Sequence, residues 1–111
     1  MALAINMRGT STREYLTILH CTPLLVTAVK DDVVVLSGEL LAEGLITSVN
    51  DNALRNLMVD EAQRASKLVE FVRDKVLLNS KHYYSFIDVL NKKRSYYADI
   101  LLILAEKYEG E

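Results

Sequence analysis

Apolar residues recur at intervals of three and four in the second half of the chain, and this spacing constrains the fold more than any other feature. Such intervals place side chains along one side of an α-helix. Asp60 lies just before the pattern, with Gln63 three residues later, which is typical of a helix N-terminus. We therefore predict a helix over residues 60–77. Its buried stripe would consist of Ala65, Leu68, Val69, Val72 and Val76, and its charged face of Arg64, Lys67, Glu70 and Asp74.

Two further helices are predicted after the break at residues 79–80. Because neighbouring residues of a helix point in different directions, one tyrosine of each adjacent pair should be buried. We predict that Tyr83 and Tyr97 lie in the core, which leaves Tyr84 and Tyr96 as surface candidates for an interface. The fifth helix has the stripe Tyr83, Phe86, Ile87 and Leu90, and the sixth has Tyr97, Ile100, Leu101, Leu104 and Tyr108, with Gly110 at its exit.

The first half of the chain is less regular, and Pro23 is its main interruption. Proline lacks the N–H group that a helix interior uses, but it is favoured as the first residue of a helix. Thr22 would then serve as the cap of that helix. We predict two short helical pieces, over about 11–21 and 23–29, joined at a bend.

A second and a third helix are predicted between residues 33 and 57. Three consecutive valines open this stretch with strand propensity, but Leu36, Leu40 and Leu41 follow at helical spacing, so we favour a helix. Gly44 is typical of a residue that ends a helix. Residues 45–46 are typical of a buried apolar pair, and Thr47 is typical of the N-cap of a new helix. The total is six helices in an antiparallel bundle. The short third helix is predicted from the spacing of Val49, Ala53, Leu54 and Leu57.

The amino-acid composition supports an all-α fold and argues against some classes of function. The 111 residues include only four glycines and one proline, which is too few for the turns of an all-β domain. A net charge of −2 argues against a nucleic-acid partner and against a polybasic membrane surface. The single cysteine cannot form an internal disulfide, which fits a reduced, cytoplasmic compartment, and no apolar run is long enough to span a bilayer. We interpret residues 1–10 as a lead-in segment and residues 11–109 as one domain.

No cluster of residues indicates catalysis or metal binding. His20 and Cys21 are adjacent, so on a helix they point about 100° apart, and Cys21 is interpreted as a small core residue. Carboxylate pairs occur only where acids favour a helix start, and no glycine-rich phosphate loop is present. We predict neither enzymatic activity nor a cofactor. The basic run at residues 92–94 is interpreted as a solvated turn between the fifth and sixth helices.

The order of three short segments is informative about the fold. Residues 43–47 read Glu-Gly-Leu-Ile-Thr, residues 64–68 read Arg-Ala-Ser-Lys-Leu, and residues 83–90 carry an aromatic-x-x-Phe-hydrophobic-x-x-Leu pattern. In the caspase recruitment domain, a member of the death-fold superfamily, such segments end the second helix, open the fourth and form the fifth. Over residues 11–108 the chain resembles this family. The resemblance implies a six-helix Greek key of the death fold with a bent first helix.

The resemblance also implies homotypic protein binding. Members of the family assemble when a basic face on helices one and four meets an acidic face on helices two and three. A contact between two different faces repeats into an open helical filament. The implied partners are other caspase recruitment domains and further copies of this chain, within an adaptor of apoptosis or innate immune signalling. The candidate residues are Arg13, Arg64 and Lys67 for the basic face, and Asp31, Asp32, Glu39, Glu43 and Asp51 for the acidic face.

Other classes of protein remain open on the sequence alone. A death domain or a death-effector-type adaptor would share the six-helix plan, and a stand-alone inhibitor of such assemblies would cap them. A helical transcription-regulatory domain would need a basic recognition helix, whereas the fourth helix is mixed in charge. A small helical enzyme or ligand carrier would need an internal pocket, and no polar residues suited to line one are evident.

Overall fold

The structure, a computed structural model, describes residues 12–56 and 59–110. Within these ranges the chain is all-α, with six helices and no strand, as the sequence predicted. The predicted lead-in over residues 1–10 lies outside the described residues. None of the described helices combines the length and the apolarity that crossing a membrane requires. In chain order the helices are α1 (Arg13–Val29), α2 (Val33–Ala42), α3 (Ser48–Leu54), α4 (Glu61–Leu78), α5 (Lys81–Asn91) and α6 (Arg94–Gly110).

Side-chain caps fix the starts of two helices at the predicted residues. An oxygen of Asp60 accepts a 2.7 Å hydrogen bond from the backbone N–H of Gln63 and so caps α4. Thr47 and Asn50 each accept from the backbone N–H of the other, both at 3.0 Å, which forms a capping box at α3. Gly44 follows α2 with a φ of 76°, a left-handed conformation that glycine adopts without strain.

Helix α1 continues through Pro23 as a single helix, so the prediction of two helical pieces was wrong. Pro23 is exposed, whereas the buried stripe from Ile18 to Val29 continues on the opposite side of the helix. Thr22 does not cap a second piece, because its hydroxyl lies within the helix and donates to the carbonyl of Ile18. Burial of the continuous apolar stripe outweighs the one hydrogen bond that proline cannot make.

The second and third helices form as predicted, but three of their residues are not in the core. The valine run at the start of α2 is helical. On α2, Leu36 and Leu40 are buried whereas Leu41 is 36% exposed, and on α3 both Val49, at 74%, and Ala53 are exposed. The cause is that α3 has only seven residues and buries Leu54 alone, while α2 packs on the bundle through one side. The predicted role of Leu57 lies outside the described residues.

Helix α1 packs most extensively against α4 and α6, and both run antiparallel to it. Arg13 at the start of α1 lies over the ring of Tyr108 near the end of α6. Asp32, which follows α1, contacts Tyr97 near the start of α6. Asp32 also lines the same surface depression as Arg64, which places the start of α4 beside the end of α1. Helix α2 packs on α3, α4 and α5.

One apolar cluster with residues from all six helices forms the core. The predicted partition of the tyrosines is confirmed, since Tyr83 and Tyr97 are buried at 4% and 2% exposure. Tyr84 and Tyr96 are 47% and 80% exposed. The predicted buried pair at residues 45–46, between α2 and α3, is also confirmed.

Candidate interaction surfaces

The turn between α5 and α6 lies against three of the predicted acidic-face residues. The Lys93 ammonium is 3.7 Å from a carboxylate oxygen of Asp32 and 3.7 Å from one of Glu39. The Lys92 ammonium is 3.5 Å from a carboxylate oxygen of Glu43. The basic run is therefore more than the solvated turn that was predicted, because two of its members face acids of the same chain. Ion pairs that water can reach contribute only about 0–1 kcal/mol each, so these partly exposed pairs orient the turn more than they stabilise the bundle.

Asp32 is held from a second direction by Tyr97. The Tyr97 hydroxyl donates a 2.8 Å hydrogen bond to the Asp32 carboxylate. Burial, followed by this hydrogen bond, raises the pKa of Tyr97, so the phenol remains a neutral donor. The contact fixes the start of α6, where the backbone of Tyr97 is not helical, to the connection between α1 and α2.

Asp51, the acidic candidate on α3, is also engaged within the chain. Its carboxylate accepts from the Arg55 Nε at 3.0 and 3.1 Å and from the hydroxyl of Ser37. The hydrogen bond from Arg55, and then the one from Ser37, lower the pKa of Asp51 below its ordinary value. Because Ser37 is fully buried on α2, Asp51 ties α3 to α2.

The three predicted basic-face residues do not come together. Arg64 and Lys67 share the first turns of α4, but Arg13 lies at the start of α1. Since α1 and α4 are antiparallel and α1 has 17 residues, about 24 Å of helix separate Arg13 from the end that faces Arg64. Arg13 instead places its guanidinium 5.2 Å from the ring centre of Tyr108. The basic surface is thus reduced to Arg64 and Lys67.

Arg64 lies close to the acidic residues that precede α2. Arg64, Asp31 and Asp32 line one shallow depression of about 100 Å³. The Arg64 Nη2 donates a 2.9 Å hydrogen bond to the carbonyl of Asn56, which holds the side chain at this position. The predicted acidic and basic faces therefore adjoin at the junction of α1, α2 and α4. Asp31 and Lys67 are both exposed.

A tyrosine cluster joins α1, α5 and α6 at the other end of the bundle. Glu14 accepts hydrogen bonds from the hydroxyls of Tyr84 at 2.6 Å and Tyr108 at 3.1 Å, and the ring of Tyr83 stacks on Tyr108. Burial alone would raise the pKa of Glu14, but hydrogen bonds from Tyr84, from the backbone and from Tyr108 together lower it. Of the two surface tyrosines, Tyr84 is thus engaged by its own chain and Tyr96 is the more exposed.

Sequence reasoning missed the outer face of α2, which consists of Val34, Val35, Gly38, Leu41 and Ala42. All five residues are exposed, with Val35 at 49%, Val34 at 38% and Leu41 at 36%. Helix α2 has one charged residue, Glu39, so it is apolar on its buried side and on its outer side. A helix that is apolar all round is normally covered on all sides. The available signal was the lack of a polar stripe within residues 33–42, which the prediction of this helix did not use.

A groove between α1 and α6 is a further concave surface. One depression in it, of about 270 Å³, is lined by Leu24, Ala28, Tyr96, Ile100 and Ile103, among others. Over residues 12–56 and 59–110, no three His, Cys, Asp or Glu side chains are grouped so as to hold a metal ion.

The fold and these surfaces define the class of the protein as a small all-α bundle. No protein-family model, no curated protein and no solved structure matches the chain.

Proposed function

We propose that the chain is a homotypic protein-interaction module of the caspase recruitment type, which assembles copies of itself or related domains through charged helix faces. The observation that carries this proposal is the pairing of helices. Helix α1 packs against α4 and α2 packs against α3, which supports faces built on two helices, while the basic residues that lie together are Arg64 and Lys67 of α4 alone. In this proposal the module works in the cytoplasm, within an adaptor that recruits signalling proteins, and it has no catalytic role.

The contact would centre on charges that stay accessible in the folded chain. Lys67 on α4 and Asp31 ahead of α2 are exposed, whereas Asp32, Glu39 and Asp51 each pair within the chain. A Lys67 surface on one copy and an Asp31 surface on the next form a heterologous contact, which repeats into an open filament. Complementary charge of this kind sets the choice of partner and the rate of association more than the affinity.

Charge reversal at each surface tests the proposal. We would follow the purified chain by light scattering and electron microscopy over a rising concentration series, at low and high salt. We expect the unmodified chain to form filaments, and we expect Lys67→Glu and Asp31→Lys each to abolish them. An equimolar mixture of the two variants should give a one-to-one complex, because each variant retains one intact face.

Lys81→Glu is the matched control, since it makes the same change of charge at an exposed position on α5. It should assemble like the unmodified chain, and circular dichroism should show that all variants are folded. The proposal is wrong if the unmodified chain forms no filaments at any concentration. It is equally wrong if Lys67→Glu and Lys81→Glu assemble alike.

A further inference from the structure

The turn between α5 and α6 presents a serine hydroxyl beside a run of basic residues. Lys92, Lys93 and Arg94 directly precede Ser95, which is exposed in the first turn of α6. Its two neighbours along the chain are exposed as well, with Tyr96 at 80%. An exposed hydroxyl that follows three positive charges has the pattern of a substrate for an enzyme with an acidic peptide groove.

We infer that Ser95 is a phosphorylation site for a protein kinase that selects basic residues on the N-terminal side of its target serine. The kinase uses ATP as the phosphoryl donor. The Ser95 Oγ forms a bond to the γ-phosphorus, the bond from that phosphorus to the oxygen of the β-phosphate breaks, and ADP leaves. The hydroxyl proton goes to the catalytic carboxylate of the kinase. The product is a phosphoserine with a charge of about −1.5 to −2 at pH 7.

The backbone around Ser95 is held by few bonds, which suits a kinase, because its groove binds the residues on both sides of the hydroxyl. Tyr97 is not helical, with a φ of −113° and a ψ of 15°, and it separates the first turn of α6 from the rest of the helix. The backbone N–H groups of Tyr96 and Tyr97 both donate to the carbonyl of Lys93, at 2.9 and 3.2 Å. Short segments of this kind at the end of a helix open locally at low cost.

Ser66 shows that exposure and a nearby positive charge are not sufficient. It is exposed and follows Arg64 by two residues, so the sequence alone makes it a rival to Ser95. Ser66 lies within α4, however, and Ala65 and Leu68 on either side of it are fully buried. A kinase would have to pull this part of α4 out of the core to bind it. The structure therefore favours Ser95 over Ser66.

The ion pairs of the turn leave its basic residues available to a kinase. Lys92 and Lys93 face acids of the same chain at 3.5 and 3.7 Å, but both lysines are partly exposed, at 56% and 28%. Ion pairs that water can reach are weak, so an acidic groove can replace them. Arg94 donates only to a neutral group within the turn, the side-chain oxygen of Asn91, at 2.9 Å.

Once attached, the phosphate competes for Lys93. The Lys93 ammonium is shared by Asp32 and Glu39, and a phosphate dianion two residues along the chain attracts it more strongly than one carboxylate does. We expect Lys93 to turn toward the phosphoserine and to release Glu39, while Tyr97 keeps its hydrogen bond to Asp32. Asp99, one turn further along α6, repels the phosphate, but the three basic residues outweigh it. Phosphorylation would thereby change the charge that α2 presents.

Phosphorylation of the purified full chain in vitro tests the inference. The probes are ATP with cyclic-AMP-dependent protein kinase, which selects basic residues, and ATP with casein kinase 2, which selects acidic residues. Tandem mass spectrometry locates the phosphate. With the first kinase we expect Ser95 to be modified at least about tenfold faster than Ser66, and at least about tenfold faster than with the second kinase. Ser95→Ala should lose this phosphate and remain folded by circular dichroism.

Lys92→Gln tests the recognition of the basic run, and Lys81→Gln, the same change at an exposed position on α5, is the matched control. Lys92→Gln should slow the modification of Ser95 about tenfold, because it removes a charge that the kinase groove binds, whereas Lys81→Gln should leave the rate unchanged. Failure of the basic-directed kinase to modify Ser95, equal modification of Ser95 and Ser66, or equal rates for the two variants would each overturn the inference. Phosphorylation of Ser95 does not depend on the proposed function, since a chain that forms no filaments would still be phosphorylated.

Phosphorus NMR of the fully phosphorylated chain tests the move of Lys93. The second pKa of a phosphoserine lies near about 6, and a nearby ammonium lowers it by stabilising the dianion. We expect Lys93→Gln to raise the pKa of this phosphate by about 0.3 pH unit or more, and Lys81→Gln to leave it unchanged. Equal titration of the phosphate with and without Lys93→Gln would show that Lys93 stays with its carboxylates and would contradict the expected move.

Discussion

Helices α4 and α2 both rest on the core, but their outer faces differ. Helix α4 buries one apolar stripe and presents Lys, Arg, Asp and Glu side chains to solvent. Helix α2 buries a stripe as well, yet its outer face presents Val34, Val35 and Leu41. The charged face of α4 is stable in contact with solvent, since such faces cost little to hydrate. An apolar outer face gains nothing from solvent, so solvation does not explain the composition of this side of α2.

The largest expected effect is on the buried side of α4. Val72 is fully buried, and Val72→Ala removes two methyl groups and leaves a cavity in a packed core. We expect the free energy of unfolding in urea, followed by circular dichroism, to fall by about 2 kcal/mol. A loss below about 0.5 kcal/mol would show that α4 is not packed as described. The difference in burial between α4 and the outer face of α2 would then not hold.

The cap of α4 should have the next largest effect. Asp60 accepts from the N–H of Gln63, whereas the N-cap residue of α2, Asp32, makes no such bond. Asp60→Ala should therefore lower the free energy of unfolding by about 0.5–2 kcal/mol. Asp60→Asn is the matched control, because asparagine caps about as well as aspartate. An equal loss in both variants would mean that the charge of Asp60, and not its cap, stabilises α4.

A smaller, pH-dependent effect should arise where Asp51 ties α2 to α3. Its pKa is lowered in the folded chain, first by Arg55 and then by Ser37, while the unfolded carboxyl titrates near 3.8. The ionised group thus stabilises the fold fully above about pH 3.8, and this stabilisation is lost as the pH falls through the lower folded pKa. In urea titrations from pH 6 to pH 2.5, Asp51→Asn should lose less stability toward acid than the unmodified chain does.

Asp88→Asn is the control for that titration, because Asp88 is an exposed carboxylate on α5. Its acid dependence should match that of the unmodified chain. Some acid dependence should persist in Asp51→Asn, since the pKa of Glu14 is also lowered and acts in the same direction. Identical curves for the unmodified chain and Asp51→Asn would contradict the role assigned to Asp51.

The contrast between α2 and α4 also shows how far the sequence predicts the structure. The caps Asp60 and Thr47 and the stripes of α4, α5 and α6 follow from spacing within one helix. The structure confirms them, except that Ile87 on α5 and Tyr108 on α6 are only partly buried. Spacing does not report how many sides of a helix are covered. The outer face of α2 was therefore missed, because a helix that is apolar all round has no preferred side.

Contacts between segments that are distant in sequence could not be predicted either. Tyr97 and Asp32 are 65 residues apart in sequence, and Lys92 and Glu43 are 49 apart. No local pattern joins such pairs, because their distance depends on the antiparallel order of α1 and α6 and on where the turn after α5 falls. Acidic side chains that were predicted to be accessible, such as Asp32 and Glu43, thus form hydrogen bonds or ion pairs within the chain.

The smallest expected effect on stability is on the outer face of α2. Val35→Ala makes the same chemical change as Val72→Ala, and the gain in helix propensity is the same at both sites, so the difference between them reports burial. Because Val35 is 49% exposed, we expect the free energy of unfolding to change by no more than about 0.5 kcal/mol. A variant that destabilises the chain as much as Val72→Ala does would show that Val35 supports the bundle despite its exposure.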